Sequence, residues 1–128
     1  MVPISPSPIS EPNGNQRYPG LDVEAGIQLW RNADTYRSFL GRFVGDYAPQ
    51  IDALATLTQP ALGALLHKLT GAAGNLCLPE LQHICKEFQA TLRSGQDLQA
   101  QQASLQAAFA CASASIQRYL SDTTPGEH

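Results

Sequence analysis

The sequence predicts an all-α fold: an antiparallel up-down four-helix bundle with a short additional N-terminal helix. Two observations carry this expectation. After residue 21, Ala, Leu and Gln dominate while Val, Ile and Thr are sparse, a composition that favours helix over strand. Apolar residues in the same stretch recur three and four apart, the period of one helix face. Short connections between four longer helices then leave antiparallel packing as the natural arrangement.

The elements follow in chain order. Residues 1–20, rich in Pro, Ser, Asn and Gly, bury too little apolar surface to offset their ordering entropy and read as a flexible linker. Residues 21–120 are enough for one helical domain with a single core, and 121–128 read as a disordered tail. A first helix is expected over Val23–Trp30, with Asp22 as N-cap and Glu24 in its first turn. A second starts near Asp34 and carries Tyr36, Phe39, Leu40, Phe43, Val44 and Tyr47 on one face. Pro49 kinks or divides it, and Ile51, Leu54 and Leu57 continue the stripe. The third runs from about Pro60 to Leu78, with proline in the first turn. Pro79 opens the fourth, which turns Leu81, Ile84, Cys85, Phe88 and Leu92 inward and closes at Ser94-Gly95. The last spans Asp97 to Leu120, with Leu98, Leu105, Ala108, Phe109, Ala112, Ile116 and Leu120 inward.

Bulk properties exclude several classes. The chain has 128 residues, a net charge of −3 and 15% charged residues. No basic concentration exists to grip a phosphate backbone, so no nucleic-acid partner is expected. No apolar run approaches the roughly 18 residues of a membrane span, and the N-terminus lacks the pattern of a signal peptide. This segment is therefore expected to make no membrane contact and to be cytoplasmic. Cys77, Cys85 and Cys111 form no CxxC pair and read as reduced thiols used as small apolar side chains.

One segment breaks the local rules. In Ala61–Leu78, residues Leu62, Leu65, Leu66, Leu69, Ala73 and Leu76 fall at helical spacing and form a buried stripe. Beside it runs a second stripe of Gly63, His67, Gly71 and Gly74. Each interior glycine costs about 1 kcal/mol relative to alanine, so this ridge is kept bare against local preference. Such violations mark functional sites: an imidazole above a flat surface is open to close approach by another protein. Small residues also serve tight helix packing, and periodicity alone leaves both readings standing.

The string His67-Lys68-Leu69-Thr70-Gly71-Ala72-Ala73-Gly74-Asn75-Leu76 resembles the signature of histidine-containing phosphotransfer (HPt) domains, a histidine followed by x-Leu-Lys-Gly and small residues. Leu21–Gly26 resembles the usual entry into the family's first helix. Tyr36–Phe43 resembles the aromatic and leucine pattern of its second, and His67–Arg93 its central hairpin. The resemblance implies that His67 accepts a phosphoryl group from the aspartate of one receiver domain and passes it to another. It also implies that Gly71 gives clearance for docking, with Gly63, Thr70 and Gly74 as further partner-facing positions, and that Gln89 orients the imidazole. Counting from Pro79, His67 and Gln89 lie twelve and ten residues from the turn, at similar height in an antiparallel hairpin. Two positions depart from the pattern: Thr70 stands where the family usually has lysine, and Cys77 where it often has glycine. Lys68 is a candidate for charge support, although it points about 100° around the helix from His67.

Imidazole suits this chemistry because its ordinary pKa of about 6.5 leaves it largely neutral and nucleophilic at pH 7. Phosphoryl transfer needs in-line geometry and neutralised equatorial charge. No cofactor is expected on this chain, the partner receiver bringing Mg²⁺, its acidic pocket and a lysine. No kinase machinery is expected either. His83, near Cys85 and Glu87, offers no closed ligand set. His128 falls in the tail, Asp34, Asp46 and Asp52 read as capping or solvated acids, and Trp30 and Tyr47 as core or rim aromatics.

The reading is thus a phosphorelay intermediate, monomeric as an isolated domain, with receivers of a hybrid sensor kinase and a response regulator as partners. The proline-rich leader is expected to tether it as the C-terminal module of a bacterial hybrid sensor histidine kinase, on the cytoplasmic side of the inner membrane, with a free-standing HPt protein as the other form the sequence allows. The alternative is an HPt-like helical adaptor that docks on or inhibits a receiver or kinase without transfer, and Thr70 is its basis.

Overall fold

A computed structural model describes residues 17–95 and 98–123. The expected linker over 1–16, Asp97 and the tail over 124–128 lie outside the described residues. The described chain forms α1 (Val23–Trp30), α2 (Ala33–Asp52), a single 3-10 turn (Leu54–Thr56), α3 (Gln59–Asn75), α4 (Pro79–Ser94) and α5 (Gln99–Asp122). Among these residues there is no strand, and no helix is long and apolar enough to cross a membrane. Helix α3 packs most extensively on α4, α4 on α5, and α5 on α2, while α1 lies over α2. The bundle with its short added helix is the fold class that composition and periodicity predict.

Capping residues set the starts. The Asp22 carboxylate accepts from the Ala25 amide at 3.1 Å, and Thr58 accepts from Ala61 at 3.3 Å with Pro60 in the first turn of α3. Helix α2 begins at Ala33, one residue before the expected start, because Asn32 is its N-cap and accepts from Thr35 at 3.0 Å. Pro49 does not divide α2, which runs on to Asp52. The 3-10 turn then tucks Leu54 into the core at 1% exposure.

The core is built from Tyr36, Leu40 and Phe43 of α2, the Leu62–Leu65–Leu66–Leu69–Ala73 stripe of α3, Leu81, Cys85 and Phe88 of α4, and Leu105, Phe109, Ala112, Ile116 and Tyr119 of α5. Phe39 departs from its expected inward position. It is 36% exposed and stacks on Trp30 with ring centroids 4.7 Å apart.

Residues 17–22 and 121–122 pack on the bundle. Tyr18, within the expected linker, is buried, meets Tyr119 edge-on at 5.5 Å and donates to Asp122 at 2.9 Å. The Ser115 hydroxyl donates to the Pro19 carbonyl at 2.6 Å. These contacts hold residues 17–22 as a strap across α5. They also extend α5 through Ser121 and Asp122, which the expected tail had included.

The C-terminus of α3 comes three residues before its expected end and explains the unusual Cys77. The Leu78 amide donates to Ala73 at 2.8 Å and the Cys77 amide to Gly74 at 3.3 Å, the paired bonds of a Schellman cap. The residue between must be left-handed, and Cys77 takes φ 61° there. A β-carbon costs roughly 1–2 kcal/mol in that conformation, which is why glycine is common at the position. The remaining carbonyls find partners elsewhere. Trp30 Nε1 donates to Asn75 at 2.8 Å, the Tyr36 hydroxyl to Leu76 at 2.7 Å, and the Asp22 amide to Cys77 at 2.9 Å.

Tyr36 is in turn covered by Gly26 of α1, where an added β-carbon would stand 2.1 Å from the ring. Gly26→Ala is expected to destabilise the fold by about 1–3 kcal/mol through overpacking, measured by urea or thermal denaturation. Cys77→Gly is expected to raise stability by about 1 kcal/mol in the same measurement, because it removes the left-handed penalty.

Candidate functional site

Helix α3 has two outward-facing strips, one turned into the seam with α4 and one turned to solvent. His67 lies on the solvent strip and is exposed. Gly71, one turn later, is exposed too, and an added β-carbon there would meet nothing within 4 Å. The approach to the imidazole over Gly71 is open.

The other small residues of that ridge serve packing, which corrects the expectation of a uniformly bare surface. At Gly74 a β-carbon would come 2.5 Å from Gln82 Nε2, and at Gly63 it would touch Leu92 at 3.6 Å. Gly74 makes room for Gln82 to cross the seam and donate to the Thr70 carbonyl at 3.4 Å. Thr70, also read as partner-facing, is half-buried in the same seam. Its hydroxyl lies 2.7 Å from the Leu66 carbonyl and 3.3 Å from the Gln89 amide oxygen. A hydroxyl has one proton, and the nearer acceptor, Leu66, takes it. The Gln89 contact is then satisfied when the amide turns its NH₂ group toward Thr70, an alternative of equal shape. Cys85 sits beneath, its thiol pushed up to about 12 by burial.

Gln89 therefore contacts Thr70 and not the imidazole, although it is level with His67. The pairings Gly63–Leu92, Thr70–Gln89 and Gly74–Gln82 fix an antiparallel register in which residue 67 of α3 faces residue 89 of α4. Lys68 is exposed and rotated by about 100° from His67, away from the seam. His83 is remote from this group and pairs with Glu87 at 3.2 Å on the exposed side of α4.

Beyond Gly71 the solvent strip leads to an aromatic groove that sequence patterning does not reveal. The groove, of about 330 Å³, lies between α2 and α3 and is lined by Trp30, Phe39, Arg42, Tyr47, Ala72 and Asn75 among others. Leu29 at its rim is 57% exposed. Periodicity assigned Phe39 to the core because it shares a helix face with Tyr36 and Phe43. Only the docking of α1 shows that Trp30 occupies that side.

The fold is a helical bundle that presents the His67 ring on its surface. The family model of the Hpt domain matches residues 38–122, more than half of the chain, and the protein belongs to that family. Hpt domains act in histidine phosphotransfer in two-component signalling as phosphocarriers rather than catalysts, and they interact with receiver domains. No curated protein and no solved structure matches the chain.

The difference between the glycines is measurable. Gly71→Ala is expected to stabilise the fold by about 1 kcal/mol, as an open helical position allows. Gly74→Ala is expected to gain less, since Gln82 must withdraw from the Thr70 carbonyl. Chemical denaturation of both variants reads this out.

Proposed function

We propose that His67 carries the phosphoryl group, accepting it from an aspartyl phosphate of one receiver and donating it to the aspartate of another. The observation that carries this reading is the exposed imidazole beside the open Gly71 surface of α3. One ring nitrogen attacks phosphorus. The P–N bond forms as the P–O bond to the aspartate breaks, and the carboxylate leaves with the electron pair. The receiver supplies Mg²⁺ and the charge around the equatorial oxygens, and this chain supplies the nitrogen and its positioning.

Gln89 acts as a positioning residue. With its NH₂ group on Thr70, its oxygen is free to accept a hydrogen bond from the N–H of the second ring nitrogen, which fixes one tautomer for attack. The receiver docks over His67 and Gly71 and extends to Leu29 and Phe39, whose exposure at 57% and 36% suits an apolar contact patch. The donor receiver belongs to a hybrid sensor kinase, and the acceptor to a response regulator.

The test is incubation with a phosphorylated receiver, followed by assay for acid-labile, base-stable phosphate. His67→Ala is expected to abolish uptake, and retained uptake would refute the site. Gln89→Ala is expected to slow transfer with the fold intact by circular dichroism, and an unaltered rate removes it from the mechanism. Receiver binding without transfer by the wild-type chain would establish the adaptor reading that Thr70 keeps open.

A further inference from the structure

The carrier role places negative charge on His67, yet the position three residues on, Thr70, is uncharged and turned into the seam. Resting on the His67 assignment, we infer that Lys86 and Arg93 of α4 supply the positive charge for the phosphoryl group from the opposite lip of the α3–α4 seam.

The register supports this. His67 is level with Gln89, and Lys86 and Arg93 stand three residues before and four after Gln89 on the same ridge of α4. At 1.5 Å per residue they bracket the level of His67 by about 4.5 Å on one side and about 6 Å on the other. The seam-facing residues of α4 are Gln82, Cys85, Gln89 and Leu92, and its core side is Leu81, Cys85 and Phe88. Lys86 and Arg93 are therefore rotated outward from the seam, as His67 is rotated outward from Thr70 on α3, and all three are exposed. Packed helix axes lie roughly 8–10 Å apart, a gap that a lysine or arginine stem spans.

Among the described residues, the acidic groups of α3 and α4 form no ion pair with these two cations. Helix α3 contains no Asp or Glu from Gln59 to Asn75. On α4, Glu87 is committed to His83 at 3.2 Å, and Glu80 lies near the far end of the helix. Three other cations are engaged elsewhere: Arg37 with Leu120 and Thr123, Arg118 with the Arg17 carbonyl, and Arg42 over the Phe39 ring. Among the described residues, Lys86 and Arg93 take part in no ion pair. Lys68 shares that freedom but is turned away from the seam, so it is the natural control.

The experiment compares wild type, Lys86→Ala/Arg93→Ala, the charge-conserving Lys86→Arg/Arg93→Lys and Lys68→Ala. It measures the rate of phosphoryl transfer from a phosphorylated receiver across a range of ionic strength. The double alanine variant is expected to transfer roughly tenfold more slowly at low salt, to lose most of the wild-type salt dependence, and to melt as wild type does. The charge-conserving variant is expected to keep most of the rate, and Lys68→Ala to change it least. A double alanine variant with wild-type rate and salt dependence overturns the inference, as does an equal loss in Lys68→Ala. If His67→Ala still takes up phosphate, the carrier assignment itself fails. If His67→Ala is inert while the double variant is unaffected, only the role of α4 falls.

Discussion

The site depends on how the C-terminal end of α3 is satisfied. A helix leaves its last carbonyls without intrahelical donors, and a buried one left unpaired costs about 1–3 kcal/mol. Here every carbonyl from Ala73 to Cys77 has a partner, and the donors come from three different parts of the chain: the turn itself, the aromatics of α1 and α2, and the strap before α1. The helix bearing His67 is thereby clamped in position and rotation. Tyr36 shows how much rests on this. Its ring is fully buried, its hydroxyl holds Leu76, burial strongly disfavours its ionised form, and α1 can cover it only because Gly26 has no side chain.

A helix held this firmly can divide its surface cleanly. The Leu stripe faces the core. Gly63, Thr70 and Gly74 face α4 at close range, so the glycines permit contact with Leu92 and Gln82 rather than expose backbone. His67 and Gly71 alone of that ridge look outward. The seam is polar where it nears the histidine, since Thr70, Gln82 and Gln89 bond across it. That polarity gives the hairpin a fixed register and sets Gln89 at the height of the imidazole.

Much of this was legible in the sequence. Asp22, Pro60, Pro79 and Gly95 mark helix boundaries by local chemistry, and the Leu62–Ala73 stripe identifies the buried face of α3. The exposed position of His67 followed from that stripe, because a residue five after Leu62 and two before Leu69 falls on another side of the helix. What was not legible depended on tertiary contacts. Spacing placed four residues on one glycine ridge but could not say which part of it α4 would cover. Pro49 left a kink or a division open, and α2 continues past it to Asp52. Tyr18 looked like part of a linker because its partners, Tyr119 and Asp122, lie a hundred residues away. Cys77 appeared only as a departure from a family pattern until the geometry of its turn gave the departure a physical meaning.

The indole of Trp30, the single tryptophan in the chain, lies where the clamp on α3 meets the aromatic groove. It makes the protein its own optical probe. Release of the Asn75 carbonyl and a protein settling over the groove both alter the polarity around the ring, so its emission follows α1 detachment and complex formation without any label and without touching the histidine.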